Sequence, residues 1–197
     1  MSLIVQKFGG TSVADADRIR NVARIITETY RRGHSLVVVL SAQGDTTDDL
    51  IAKAGEINPK ASKREMDMLL STGEQISCAL CAMAIEAMGY PVVSLTGWQA
   101  GFKTNSAYGA ARIKNVRTER ILAELDKRKI VIVTGFQGIN KYGDVTTLGR
   151  GGVGYLGGGS GGHPACRPVS DLHRCGRRVH RRSPLRQGGP EAGRDHL

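Results

Sequence analysis

The sequence predicts an α/β fold, a doubly wound domain with helices on both faces of a mostly parallel sheet. Three observations carry this. Continuous apolar runs rich in Val and Ile, Leu36 to Leu40 and Ile130 to Thr134, read as strands buried on both faces. Segments of helical period lie between such runs. Glycine-bearing polar turns follow the runs, at Gly9-Gly10, Gly44 and Gly135, where ligands sit in open α/β sheets.

The elements follow in order. Leu3-Ile4-Val5 delivers Lys7, Gly9, Gly10, Thr11 and Ser12 into a turn. Glycines let backbone N–H groups approach phosphate oxygens closely, a following helix offers its positive end, and the lysine adds a mobile cation. Gly-Gly after a strand also makes an ordinary tight turn, and Lys7 stands on the wrong side of the glycines for a P-loop, so the dipeptide alone leaves both readings open. Asp15 predicts a cap for a helix with Ile19, Val22, Ile26 and Tyr30 at helical spacing, closed by Gly33. The strand Leu36 to Leu40 ends in a polar loop, Ser41 to Leu50, that opens another helix. Asn58-Pro59 breaks the chain, and Ser62 with Glu65 forms a capping-box pattern before a helix through Met66, Leu69 and Leu70. Ser71-Thr72-Gly73-Glu74 intervenes. A further helix is then expected from Gln75 to Met88, with Ile76, Leu80, Met83 and Ala87 on the stripe an amphipathic helix turns to the core. Val92 to Leu95 reads as a strand, and residues 96–117, without clean period, as a loop or lid. Thr118 opens a helix with Ile121, Leu122 and Leu125 inward, and Ile130 to Thr134 leads through Gly135-Phe136-Gln137-Gly138 to Thr146-Thr147-Leu148-Gly149-Arg150.

Composition narrows the function classes. A chain of 197 residues, 40% hydrophobic, fits one soluble domain. No apolar run reads as a bilayer span and no basic segment precedes an apolar one at the N-terminus, so the expectation is a cytoplasmic protein with reduced thiols. Cys78 and Cys81 form a C-x-x-C, but among Ala and Leu on a helical pattern they read as core thiols, not metal ligands, and no metal-binding residues are assigned. The net charge of +10 is regional: residues 153–197 hold eight arginines, no lysine and three acids, a balance of +5.

The string Lys7-Phe8-Gly9-Gly10-Thr11-Ser12-Val13 resembles the N-terminal signature of the aspartate kinases, within the amino-acid kinase superfamily. The resemblance covers residues 1–152 and extends to Ser41-Ala42-Gln43-Gly44-Asp45-Thr46-Thr47-Asp48-Asp49-Leu50 and to Ser71-Thr72-Gly73-Glu74-Gln75-Ile76-Ser77. It implies the three-layer αβα amino-acid kinase fold, truncated, and transfer of a phosphoryl group from ATP to L-aspartate, giving 4-phospho-L-aspartate on the route to lysine, threonine and methionine. It further implies that Lys7, Phe8, Gly9, Gly10 and Ser41 contact ATP, with Lys7 offsetting charge on the transferred group as the catalytic residue. Thr47, Glu74, Arg150, Gly151 and Gly152 would hold aspartate, Glu74 on the α-ammonium and Arg150 on the α-carboxylate. A substrate carboxylate already ionised needs no general base, so catalysis rests on positioning and charge neutralisation, with Mg²⁺ bridging the phosphates. The family's members are homo-oligomers. Taken singly, Thr47 and Asp48 read better as helix caps and Glu74 as an acid in a solvated first turn; taken together within their strings, the family reading prevails. Gln43 stands where the family's loop carries Met.

After Gly152 the pattern breaks. Ten of the last 45 residues are Gly, four are Pro, and four of the chain's five His lie here. Synonymous codons for Val153 to Gly162 exist which, read one base downstream, give Ser-Asp-Thr-Ser-Ala-Val-Ala-Leu-Ala. The same shift over Asp171 to Pro184 gives Ile-Tyr-Thr-Asp-Val-Asp-Gly-Val-Tyr-Thr-Ala-Asp-Pro. Both resemble motifs that follow Arg-Gly-Gly in aspartate kinases, and they occur in family order. Residues 153–197 therefore read as an out-of-frame, disordered tail in which Cys166, Cys175 and the histidines are spaced by accident, and the family's C-terminal ACT domains are expected to be absent. Other readings are a different small-acid kinase of the same fold, a non-catalytic subunit, and a nucleic-acid-binding module using the arginines, which lack aromatic interleaving.

Overall fold

The computed structural model describes residues 2–149. In chain order these form β1 (Leu3–Phe8), one turn of 3₁₀ helix (Gly10–Val13), α1 (Ala16–Arg31), β2 (Ser35–Leu40), α2 (Thr46–Ile57), α3 (Lys63–Ala87), β3 (Val92–Leu95), β4 (Phe102–Thr104), β5 (Ile113–Val116), α4 (Glu119–Asp126), β6 (Ile130–Thr134), β7 (Gln137–Ile139) and β8 (Val145–Thr147). Expectations for Arg150, Gly151, Gly152 and residues 153–197 lie outside the described residues.

The main sheet has the order β1-β2-β6-β3 and is parallel throughout. Alternation along β2 and β6 sends Leu36, Val38, Leu40, Ile130 and Ile132 toward α1 and α3, while Val131 and Val133 face α4 and Leu95. Helices thus cover both faces, as the sequence predicts. Register fixes the functional edge: Phe8 pairs with Leu40 and Leu40 with Thr134, so three strands end level and their following loops emerge side by side. A second, mixed sheet has the order β5-β4-β7-β8.

The capping signals were sound. Asp15 accepts from Arg18 N at 2.8 Å to start α1, whose Ile19, Val22 and Ile26 are buried, and Gly33 closes it at φ +85°. Ser62 accepts from Glu65 N to start α3.

Four expectations are corrected. Ser71 to Glu74 does not separate two helices, because α3 runs unbroken through Gly73; a Cβ there would meet Ala42 Cβ at 3.1 Å and Thr46 Cγ2 at 3.4 Å, so the glycine serves close packing. Ile76, Leu80, Met83 and Ala87 face outward; the inward face carries Ser71, Glu74, Ser77, Cys78, Cys81 and Ile85. Its mostly small side chains bring the helix close to its neighbours, and helical period alone does not say which stripe does so. The segment 96–117 holds β4 and β5, too short to show a period, with Phe102 and Thr104 buried. On α4, Leu125 is buried but Leu122 is exposed. By length and composition α3 could cross a membrane, but it packs on β3, β6 and β8 as a core helix and buries Asp67 and Glu74.

Candidate active site

The three level strand ends build the site. β1 exits into Gly9 and Gly10, β2 into Ser41, and β6 into Gly135 and Phe136. Hydrogen bonds lace the loops together: Ser41 N to Phe8 O at 3.2 Å, Gly44 N to Gly10 O at 3.1 Å, and Gly135 N to Leu40 O at 3.1 Å. The two glycines differ in cause. A Cβ on Gly10 would stand 2.6 Å from Ala42 O, so the crossing of the first two loops requires glycine there. A Cβ on Gly9 would meet nothing within 4 Å among the described residues, so none of these demands glycine; the space they leave beside its backbone fits the approach of a phosphate oxygen. Phe8 is buried against α1, and alternation sends Lys7 to the opposite, exposed side of β1.

Beneath these loops lies Glu74, only 3% exposed at the middle of α3. Its Oε2 accepts from Phe136 N at 2.9 Å and from Gln137 Nε2 at 3.4 Å, and Gln137 Nε2 also donates to Ser71 O at 2.9 Å. Burial pushes the Glu74 carboxyl up to about 8, against the pull of the Phe136, Gln137 and Gly135 hydrogen bonds and the Lys7 charge. The solvated first-turn reading is therefore wrong: Glu74 lies three turns into its helix. Thr47 does not cap either. α2 begins at Thr46 with Asp45 at the cap position, and Thr47 is half-buried inside the first turn.

The structure thus gathers Lys7, Phe8, Gly9, Gly10, Ser41, Thr47 and Glu74 around one edge. Sequence reasoning missed the residues that hold them in place. Ser77 donates to Ser41 O at 2.7 Å, and Gln43 Nε2 reaches Val13 O at 2.9 Å, which gives the unexpected Gln43 a role in tying the loops. Asp67, fully buried, accepts from Gly109 N at 2.9 and 3.0 Å and from Thr147 Oγ1 at 2.6 Å, joining α3 to β8 and the 105–111 loop. An acid amid the apolar run of α3 was the available signal. Thr134 Oγ1 and Gln137 Oε1 are buried without a hydrogen-bond partner among the described residues. Cys78 and Cys81 are free thiols in the core; burial, with Glu74 nearby, raises the first well above the ordinary thiol range, and burial raises the second to about 12. Among the described residues no cluster of three or more His, Cys, Asp or Glu could hold a metal ion.

The Amino acid kinase family matches residues 2–156. The chain belongs to this family. Among curated relatives of this chain, an aspartokinase of Geobacillus stearothermophilus is 57% identical over 152 residues, 77% of this chain and 37% of the relative. The chain thus spans little more than a third of that relative's length. Solved structures agree: the aspartate kinase of Synechocystis superposes with a TM-score of 0.64 at 46% identity, covering 77% of this chain and 24% of that one. Escherichia coli aspartokinase III in complex with aspartate and ADP gives 0.68 at 25% identity, over 79% of this chain and 45% of that one. The main parallel sheet with helices on both faces is accordingly the amino acid kinase fold.

Proposed function

We propose that residues 1–152 are the N-terminal part of an aspartate kinase catalytic domain, which transfers the terminal phosphoryl group of ATP to the β-carboxylate of L-aspartate in the cytoplasm. The product, 4-phospho-L-aspartate, would feed lysine, threonine and methionine synthesis. The observation that carries the reading is the level ending of β1, β2 and β6, which sets Lys7 to Gly10, Ser41 and Gly135 around buried Glu74. In this reading Gly9 and Gly10 present backbone N–H groups to the phosphates, Lys7 neutralises charge building on the transferred group, and Ser41 adds a hydroxyl from the second loop. Thr47 and Glu74 hold aspartate with Arg150, Gly151 and Gly152. Glu74 receives the α-ammonium, and because its carboxyl sits near pH 8 in the free chain, it must release a proton to do so. Mg²⁺ would supply positive charge that offsets the charge of the phosphates; none of the described residues is assigned to hold it.

We further propose that residues 153–197 are an out-of-frame reading. The stretch aligned with the Geobacillus stearothermophilus relative is 152 residues long, which supports a break near Gly152. The test is to delete one base near the Gly152 codon and extend the gene to its next natural stop. The corrected chain should bind ATP and phosphorylate aspartate, and Lys7→Ala should abolish transfer while leaving the fold intact, since the Lys7 side chain is exposed. A corrected chain that folds yet neither binds ATP nor uses aspartate overturns the assignment. The uncorrected chain should show no aspartate-dependent ADP release.

A further inference from the structure

The parallel strands β3 and β6 end at a pocket of about 190 Å³, on the side of the sheet that α3 covers. Leu95 pairs with Val133, so the next step along each chain sets Thr96 beside Thr134, and alternation turns both, with Ser94 and Ile132, toward α3. Gln75, Cys78 and Ala79 line the pocket from the helix, and Gln99 from the turn after β3. At roughly 30 Å³ per water the space suits about six waters, or a ligand of similarly few non-hydrogen atoms. None of the described lining residues carries a charge, burial raising the Cys78 thiol so that it stays neutral. Thr134 is 1% exposed, and its Oγ1 has no hydrogen-bond partner among the described residues, a state that costs stability until something completes it. The two glutamines each have one end of the amide in use and one spare. Gln99 Oε1 accepts from Thr96 N at 3.0 Å, which leaves its Nε2 without a partner among the described residues. Gln75 Nε2 donates to Ser71 O at 3.3 Å, which leaves its Oε1 without one.

We propose that this pocket binds a small neutral primary amide. The spare groups are one N–H donor, one carbonyl acceptor and one buried hydroxyl, and a carboxamide is their complement. Gln99 Nε2 donates to the ligand carbonyl, the ligand NH₂ donates to Gln75 Oε1 and Thr134 Oγ1, and Ala79 and Leu95 receive the alkyl part. A carboxylate of the same shape has no donor for Gln75 Oε1 and brings an unpaired charge into the pocket. A ketone leaves the same acceptors unmet. The site stands apart from the loops after β1 and β2, since none of Lys7, Gly9, Gly10, Ser41, Thr47 and Glu74 lines it. The proposal does not rest on the activity proposed above.

The experiment titrates the full 197-residue chain, labelled with ¹⁵N, with propionamide and follows the amide signals by NMR. The backbone signals of Thr96, Gln99 and Thr134 and the Gln99 side-chain NH₂ should shift saturably, with a dissociation constant of roughly 1–10 mM, the range open to so small a ligand. Propionate and 2-butanone should bind about 10-fold more weakly or not at all. Thr134→Val keeps the shape and removes the hydroxyl, so it should weaken propionamide by about 5-fold or more while the thermal midpoint stays or rises, because the lost group had no partner. Gln99→Glu keeps an oxygen for Thr96 N and removes the donor, and should weaken propionamide by about 10-fold; Gln99 is exposed, so the fold should survive. The proposal is overturned by the absence of a saturable shift at roughly 100 mM propionamide, where a millimolar site is filled. It is also overturned by propionate or 2-butanone binding as well as the amide, which would make the pocket a site for the alkyl chain alone. Shifts that both substitutions leave unchanged would place the binding elsewhere, and a Thr134→Val chain that melts several degrees lower would show that the hydroxyl is already satisfied; either result sinks the assignment.

Discussion

Replacing Glu74 by Gln removes one ionisable group from beneath the loops and gives a measurable pH signature. In the folded chain burial holds its carboxyl near 8 against an ordinary 4.5. Below pH 4.5 both folded and unfolded chains carry the proton, and Glu74 costs nothing. Above it the unfolded chain releases a proton that the folded chain keeps, so stability falls by about 1.4 kcal/mol per pH unit until the folded carboxyl ionises too. Over the interval of about 3.5 units the loss approaches roughly 5 kcal/mol, of which about 2–3 kcal/mol falls between pH 5 and 7. Gln retains an oxygen for Phe136 N and does not titrate. Urea unfolding of both chains at pH 5, 6 and 7 isolates the effect, because other titrating groups cancel in the difference. Glu74→Gln should gain on the parent chain by about 1 kcal/mol or more for each unit of pH. A difference that stays constant across this range would refute the burial argument and, with it, the proton release proposed for aspartate binding.

Other outcomes follow from single contacts. Gly10→Ala should destabilise by about 1–3 kcal/mol in thermal unfolding, since its Cβ would stand 2.6 Å from Ala42 O, whereas Gly9→Ala should stay within about 0.5 kcal/mol of the parent. Asp67→Ala strands Gly109 N and Thr147 Oγ1 and should cost about 3 kcal/mol or more in denaturant titration, with Asp67→Asn recovering part of it. Glu124 lies between Arg120, Lys127 and Lys129, and the Lys129 hydrogen bond foremost holds its carboxyl below the usual range. Its contribution is present above the unfolded carboxyl value and lost as pH falls through the lower folded one, so Glu124→Gln should flatten the acid limb of a stability profile.

The main sheet was legible because its strands are continuous apolar runs and α1 announces itself with Asp15 and Gly33. The glycine turn was legible as a string, yet only the register shows that Gly10 is forced by Ala42 while Gly9 faces open space. The second sheet was not legible. Strands of three or four residues such as β4 and β8 show no period, and they exist through partners far along the chain, as Thr104 finds Thr146. α3 misled for a sharper reason: its most hydrophobic stripe is not its buried one. The first half of the inward face is small and polar because it lies against loops and a second sheet, and Glu74 and Asp67 bind backbone N–H groups there, while Cys78, Cys81 and Ile85 in the second half join the main core. Hydrophobicity measures transfer from water, not closeness of approach, and the two were assigned to the wrong sides of one helix.

β1 has a further consequence. Among the described residues it is the outermost strand of a parallel sheet, and on the side away from α1 its Leu3 and Val5 are 43% and 46% exposed. A parallel edge with one uncovered apolar side is a template: its free N–H and C=O groups can accept another extended segment, and the apolar row rewards whichever segment arrives. Lys7, two positions beyond Leu3 along that side, is the charge that opposes open-ended stacking there. For a ribosome-fresh chain this makes solubility a race between correct pairing and templated growth, and acetylating or neutralising Lys7 would tilt that race toward fibrils.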